Sequence, residues 1–82
     1  MRFDLAAVAH LVAAQLEVEP ARITLTARFA DDLGADDVQI DDLMLALEEH
    51  FDIEISNDDA ARLGTLDEVL LFLDAHGYVA ER

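Results

Sequence analysis

The chain has 82 residues, is 54% hydrophobic and carries a formal net charge of −14, from nineteen acidic residues against five arginines and no lysine. That length makes one domain with a single modest core, because a chain of this size buries only about 60–65% of the surface its unfolded form exposes. A deep enclosed active site has no room in it, and so negative a field repels nucleic acid phosphates and anionic lipid while steering basic protein surfaces in.

In chain order, Leu5, Val8, Leu11, Val12 and Leu16 recur at helical spacing, so residues 4–17 are predicted to form a first amphipathic helix that has ended by Pro20. Residues 18–36 show no sustained period. They hold the apolar anchors Ile23, Leu25, Phe29 and Leu33 and finish on Leu33-Gly34-Ala35-Asp36, and so long a connection in a small domain points to function. Asp36 is placed to N-cap a second helix over 37–51, with Gln39 completing a capping-box pair and Ile40, Leu43, Leu47 and Phe51 forming its apolar stripe. Asp52-Ile53-Glu54-Ile55 reads as a short extended exit, and residues 57–63 as a short third helix stopped by Gly64. Thr65-Leu66-Asp67-Glu68 is a capping box opening a last helix over 66–76, with Leu66, Val69, Leu70 and Leu73 inward and His76-Gly77 at its end. Residues 1–82 therefore read as a single helical domain with no repeat or linker.

The chain has no cysteine, which removes disulfides, thiolate metal sites and thiol nucleophiles together. Met1-Arg2-Phe3-Asp4 lacks a signal-peptide pattern, and no apolar run approaches the ~20 residues of a membrane span. The expectation is a cytoplasmic monomer without membrane insertion and without nucleic acid partners.

The charge is unevenly placed. All five arginines fall outside residues 29–61, and that segment holds twelve acidic residues. Opposite the apolar stripe, helical spacing puts Val38, Asp41, Asp42, Leu45, Glu48, Glu49 and Asp52 on one outward face. A solvated helix face is the bland interpretation. Against it stand Val38 and Leu45, apolar where such a face is polar, and the lack of any cation at i±4 to relieve the repulsion. Exposed apolar residues ringed by like charge suit a docking surface with a sticky centre and a steering rim.

Two segments carry a family likeness. Asp32-Leu33-Gly34-Ala35-Asp36-Asp37-Val38, followed by Leu43-Met44-Leu45-Ala46-Leu47-Glu48-Glu49-His50-Phe51-Asp52-Ile53-Glu54-Ile55, closely resembles the acyl carrier proteins of fatty acid and polyketide synthesis. The likeness covers nearly the whole chain, with Gln15-Leu16 and Phe29 where that family has similar residues. It implies an all-α fold, a bundle of three main helices plus one short helix. It also implies a carrier role, not an enzymatic one, in which a phosphopantetheine arm on a serine at the start of the second helix holds acyl groups as thioesters. Basic-surfaced synthases, transferases or ligases are the implied partners. Carried over by position, the partner-contact residues are Val38, Asp41, Asp42, Leu45, Glu48 and Glu49, with Asp36 in the motif that precedes them. Asp41 stands where the family usually has an aliphatic residue and Ile40 where it has a small polar one.

The family's serine is replaced by Asp37. A phosphodiester-linked arm needs a hydroxyl oxygen, so phosphopantetheine is not expected on this chain. The single serine, Ser56, lies nineteen residues on, and Thr24 and Thr26 precede the motif by ten residues or more. Three interpretations of Asp37 stand. One is an adaptor or regulatory homologue that lost the serine and kept the fold. Another is an engineered Ser→Asp form of a normal carrier. The third is a working group carrier modified on the Asp37 carboxylate itself, for instance by an amine forming an amide.

Other chemistry fits less well. Around Asp31–Asp42 the EF-hand template fails, because Gly34 is misplaced and ligand positions land on Leu33 and Ala35; weak divalent binding there would relieve charge without forming a designed site. His10, His50 and His76 fall on different helices with no ligand spacing, so no zinc site is expected. Asp36, Asp37, Asp41 and Asp42 start an exposed helix, whereas paired carboxylates for acid–base catalysis need one of the two in a buried setting.

Overall fold

The computed structural model describes residues 2–81. Four helices are framed by a three-residue strand near each end: β1 (Arg2–Asp4), α1 (Leu5–Leu16), α2 (Asp37–Phe51), α3 (Asn57–Ala60), α4 (Leu66–Ala75) and β2 (Val79–Glu81), with one 3-10 turn at Pro20–Arg22. Among the described residues, no helix is long and apolar enough to cross a membrane.

α1 starts at Asp4, whose carboxylate accepts the Ala6 N–H at 2.9 Å and satisfies one donor that a helix start leaves unpaired. It ends at Glu17, in the left-handed region at φ 57°. Val8, Val12, Ala13 and Leu16 are buried, so the inward stripe is rotated from the predicted one: Ala13 enters it, while Leu5 and Leu11 stay half-buried. As expected, the helix has ended before Pro20. Pro20 itself opens the 3-10 turn, a first position where its missing N–H is no loss.

The stretch between α1 and α2 is irregular but bonded throughout. Ile23, Phe29 and Leu33 are buried, Phe29 to 1% exposure. Leu25, expected as a fourth anchor, is 40% exposed; its carbonyl is what the fold uses, accepting the Asp67 N–H at 3.0 Å. The Phe29 N–H donates to the Gly64 carbonyl at 2.9 Å, and Arg28 and Thr65 form an isolated antiparallel bridge. These bonds stitch the loop to the start of α4.

α3 ends at Ala60 rather than at Leu63. Beyond it the chain tightens to three-residue spacing, Arg62 N–H to Asp59 and Leu63 N–H to Ala60, which draws Leu63 into the core. Gly64 is not a left-handed stop; positive φ belongs to Glu17, Gly34, Asp52 and Gly77. At the start of α4 the Thr65 hydroxyl accepts the Glu68 N–H as predicted, but the Glu68 carboxylate returns to the Gly64 N–H and the Thr65 hydroxyl, not to the Thr65 N–H. The box is displaced by one residue.

Val8, Val12 and Leu16 of α1, Leu43, Leu47 and Phe51 of α2, and Val69 and Leu73 of α4 enclose Phe29 and Leu33 from the loop. Each such side chain contributes about 1.5–3 kcal/mol by leaving water. Beside this core, β1 and β2 pair in parallel with Arg2 against Val79 and Asp4 against Glu81. Phe3 within β1 and Tyr78 just before β2 meet the Phe51 ring edge-on, both at 5.2 Å between centroids.

Candidate functional site

The start of α2 is held from three directions. Below it, the loop is clamped by Arg28, whose Nε and Nη2 donate to the two Asp32 carboxylate oxygens at 3.2 Å each and whose main-chain N–H donates to the same carboxylate at 2.8 Å. Arg28 also pairs with Asp31 at 3.3 Å, and Arg22 donates to the Asp32 carbonyl at 3.3 Å. The Arg28 side-chain hydrogen bond, followed by its main-chain N–H, holds the Asp32 carboxyl below the usual aspartate range, and Asp32 in turn raises the Arg28 guanidinium. Asp31 and Asp32 belong by position to the acidic cluster, and their spacing at i+3 and i+4 from Arg28 is the local signal of the clamp.

From the clamp the chain turns through Gly34 at φ 72°, a left-handed conformation that a side chain would strain. Leu33 and Ala35 are buried, and the Ala35 N–H returns to the Phe29 carbonyl at 2.9 Å. The turn therefore delivers Asp36 to the surface in one orientation.

Asp36 caps α2. Its carboxylate accepts the Gln39 N–H at 2.8 Å, and the Gln39 amide oxygen accepts the Asp36 N–H at 3.1 Å, closing the capping box. The Gln39 amide nitrogen reaches the Leu16 carbonyl at 3.5 Å, which ties the junction to the end of α1. No sequence pattern pointed to that tie.

Asp37 is the first residue of α2 and is exposed. Its side chain makes no hydrogen bond or ion pair among the described residues. Val38 is 67% exposed and Leu45 57%, while Asp41, Asp42, Glu49 and Asp52 are exposed around them. None of these carboxylates has an ion pair among the described residues. The face thus combines uncompensated negative charge with exposed apolar side chains.

Glu48 departs from the outward face that helical spacing assigns it. It is half-buried, and its Oε2 accepts the Ile55 N–H at 3.1 Å, closing the connection from α2 to α3. The expected extended exit at 52–55 is an irregular segment without a strand partner among the described residues, begun by Asp52 at φ 53° and held by Glu48. Among the described residues, no three acidic or histidine side chains are grouped to hold a metal ion.

Residues 6–73 match the PP-binding family, described as the phosphopantetheine attachment site. The chain is also similar to an acyl carrier protein of Bdellovibrio bacteriovorus, 41% identical over 70 residues, which span 85% of this chain and 90% of that protein.

Proposed function

The chain belongs to the acyl carrier protein family, and we propose that it acts through protein contact, docking its acidic α2 onto basic biosynthetic enzymes of the fatty acid or polyketide type without carrying the family's cofactor. Acyl carrier proteins are carriers that work with biosynthetic enzymes and are not enzymes themselves, and phosphopantetheine is the family's cofactor. The residues here do not fit that group. Its linkage needs a hydroxyl oxygen, and position 37 offers a carboxylate. The hydroxyl of Ser56 is engaged in capping α3 through the Asp59 N–H at 3.1 Å, and that of Thr65 in capping α4.

The observation that carries this reading is a contrast at one helix start. Asp37 stands where the resemblance implies a serine, while Val38 and Leu45 are exposed among acids, which supports a docking face. A carboxylate in the first turn of a helix is favoured by about 0.3–1 kcal/mol, so Asp37 supports α2 while removing the attachment point. The proposed setting is cytoplasmic, with a monomer acting as an adaptor or regulator.

Intact mass after incubation with coenzyme A and a phosphopantetheinyl transferase tests this. The mass is expected to stay unchanged, and a gain matching the arm overturns the reading. Asp37→Ser is expected to accept the arm if the surrounding surface still recognises the transferase.

A second reading is favoured by the lack of bonds to the Asp37 side chain. There the carboxylate itself carries a group, such as an amine joined as an amide. The mass of the protein from its native host, compared with that of Asp37→Asn, separates the two. The codon at position 37 of the native gene separates both from an introduced Ser→Asp change.

A further inference from the structure

Away from α2, the start of α1, the loop that follows it and the start of α4 enclose an open groove of about 380 Å³. Its walls are apolar. Leu5 and Ala9 of α1 are half-buried, Ile23 of the loop and Leu66 of α4 are buried, and Leu25 is left exposed. The groove is formed before anything enters it. Asp4 caps α1 through the Ala6 N–H, the 3-10 turn fixes the chain up to Ile23, and the Leu25 carbonyl holds the Asp67 N–H at 3.0 Å. Small-ligand sites are concave, about 300–1,000 Å³, and mostly apolar with a few polar groups that fix orientation. A groove at the low end of that range suits one short aliphatic molecule.

The polar groups select its head. Two polar side chains line the groove, Asp4 and Thr24, and both are exposed. Among the described residues, no cation pairs with Asp4 and the Thr24 hydroxyl makes no hydrogen bond. Two helix starts meet here, which by itself would favour an anion. Their donors are engaged, however: the Ala6 N–H by Asp4, the Asp67 N–H by Leu25 and the Glu68 N–H by Thr65. A carboxylate head would meet the Asp4 charge with those donors already taken. An ammonium meets a carboxylate without a counter-ion and a hydroxyl oxygen able to accept.

We propose that this groove binds a short aliphatic amine, its chain against Leu5, Ala9, Ile23, Leu25 and Leu66 and its ammonium at Asp4 and Thr24. The site is independent of the docking face and of Asp37, because no residue of α2 lines it.

Hexylamine, hexanol and hexanoate, each titrated into the full chain at one neutral pH and one salt concentration, test this by amide-resolved NMR. Hexylamine is expected to shift the Leu5, Ala9, Thr24, Leu25 and Leu66 amides and to bind about threefold tighter than hexanol, the size of an exposed charge pair. Hexanoate is expected to bind most weakly. From butylamine to hexylamine, each methylene should tighten binding about twofold to fourfold. Asp4→Asn keeps a side chain that caps helices as well as aspartate does, and is expected to bind hexylamine and hexanol alike. Hexylamine shifts confined to the acidic α2, or no binding by any probe, overturn the site. Equal affinity of hexylamine and hexanol for the parent chain, or tighter binding of hexanoate, overturns the amine as its ligand. A threefold amine preference retained in full by Asp4→Asn overturns the role of Asp4. Each of these results leaves the docking reading of α2 as it stands.

Discussion

The Tyr78 phenol donates to the main-chain carbonyl of Phe51, the last residue of α2, and its ring meets the Phe51 ring edge-on at 73°. The last carbonyls of a helix have no donor within it, and Tyr78, 27 residues on, supplies one. Tyr78→Phe keeps the ring and removes the donor. The expected loss is about 1 kcal/mol, read by circular dichroism as a melting temperature lower by about 4–8 °C. Tyr78→Ala, which also removes the ring contact, is expected to lower it further.

The adjacent aspartates at the start of α2 should separate in urea unfolding. Asp36→Ala removes the cap to the Gln39 N–H and is expected to cost about 1 kcal/mol. Asp37→Ser gives up only the attraction of a carboxylate to a helix start and is expected to cost no more than about 0.3–1 kcal/mol. Equal midpoints for the two variants would contradict the distinct roles assigned to them.

Asp32 makes the loop sensitive to acid. Its folded pKa lies below the unfolded value, chiefly through the Arg28 side-chain hydrogen bond and then the Arg28 main-chain N–H. Stability from such a group is complete above the unfolded pKa and disappears as pH falls through the folded one, which places the loss below about pH 4. At neutral pH Asp32→Asn is expected to be less stable than the parent chain, and the gap should close on strong acidification. Chemical unfolding across that range measures it, and a gap that stays constant into strong acid would refute the assignment.

Docking should respond to both apolar contact and charge. Leu45→Ala and Glu48→Gln are each expected to weaken binding to a basic partner. Leu45 is 57% exposed, so its truncation should change stability by no more than about 0.5 kcal/mol. The amide in Glu48→Gln can still accept the Ile55 N–H, so that variant isolates the charge. Added salt should weaken binding, since the Debye length is only about 10 Å at 0.1 M. Salt-independent affinity would remove the electrostatic part of the proposal.

The helical class and the Asp36–Gln39 box were legible because both depend on residues three or four apart. The outward placement of Val38 and Leu45 followed from the same periodicity. What was hidden depends on longer paths. β1 and β2 are three residues each at opposite ends of the chain, too short to show alternation. The end of α3 was decided by the burial of Leu63, and the displaced cap of α4 by the reach of Glu68 to Gly64. At Glu48, spacing assigns a helix face but not the fold of a long side chain back over the following loop. The Arg28–Asp32 clamp was written locally and obscured by the acids around it.

The parallel pairing of β1 and β2 has a mechanical meaning. Arg2 and Glu81 lie at opposite ends of the paired ribbon, because Arg2 aligns with Val79 and Asp4 with Glu81. Tension on both ends of the chain slides the two strands past each other along their length. Their bonds then share the load together instead of parting one at a time. Extension is resisted first at this short shear clamp, beside the Phe51 end of α2. The Asp37 end, about 20 Å away along the helix, is reached by the force only after the clamp gives way.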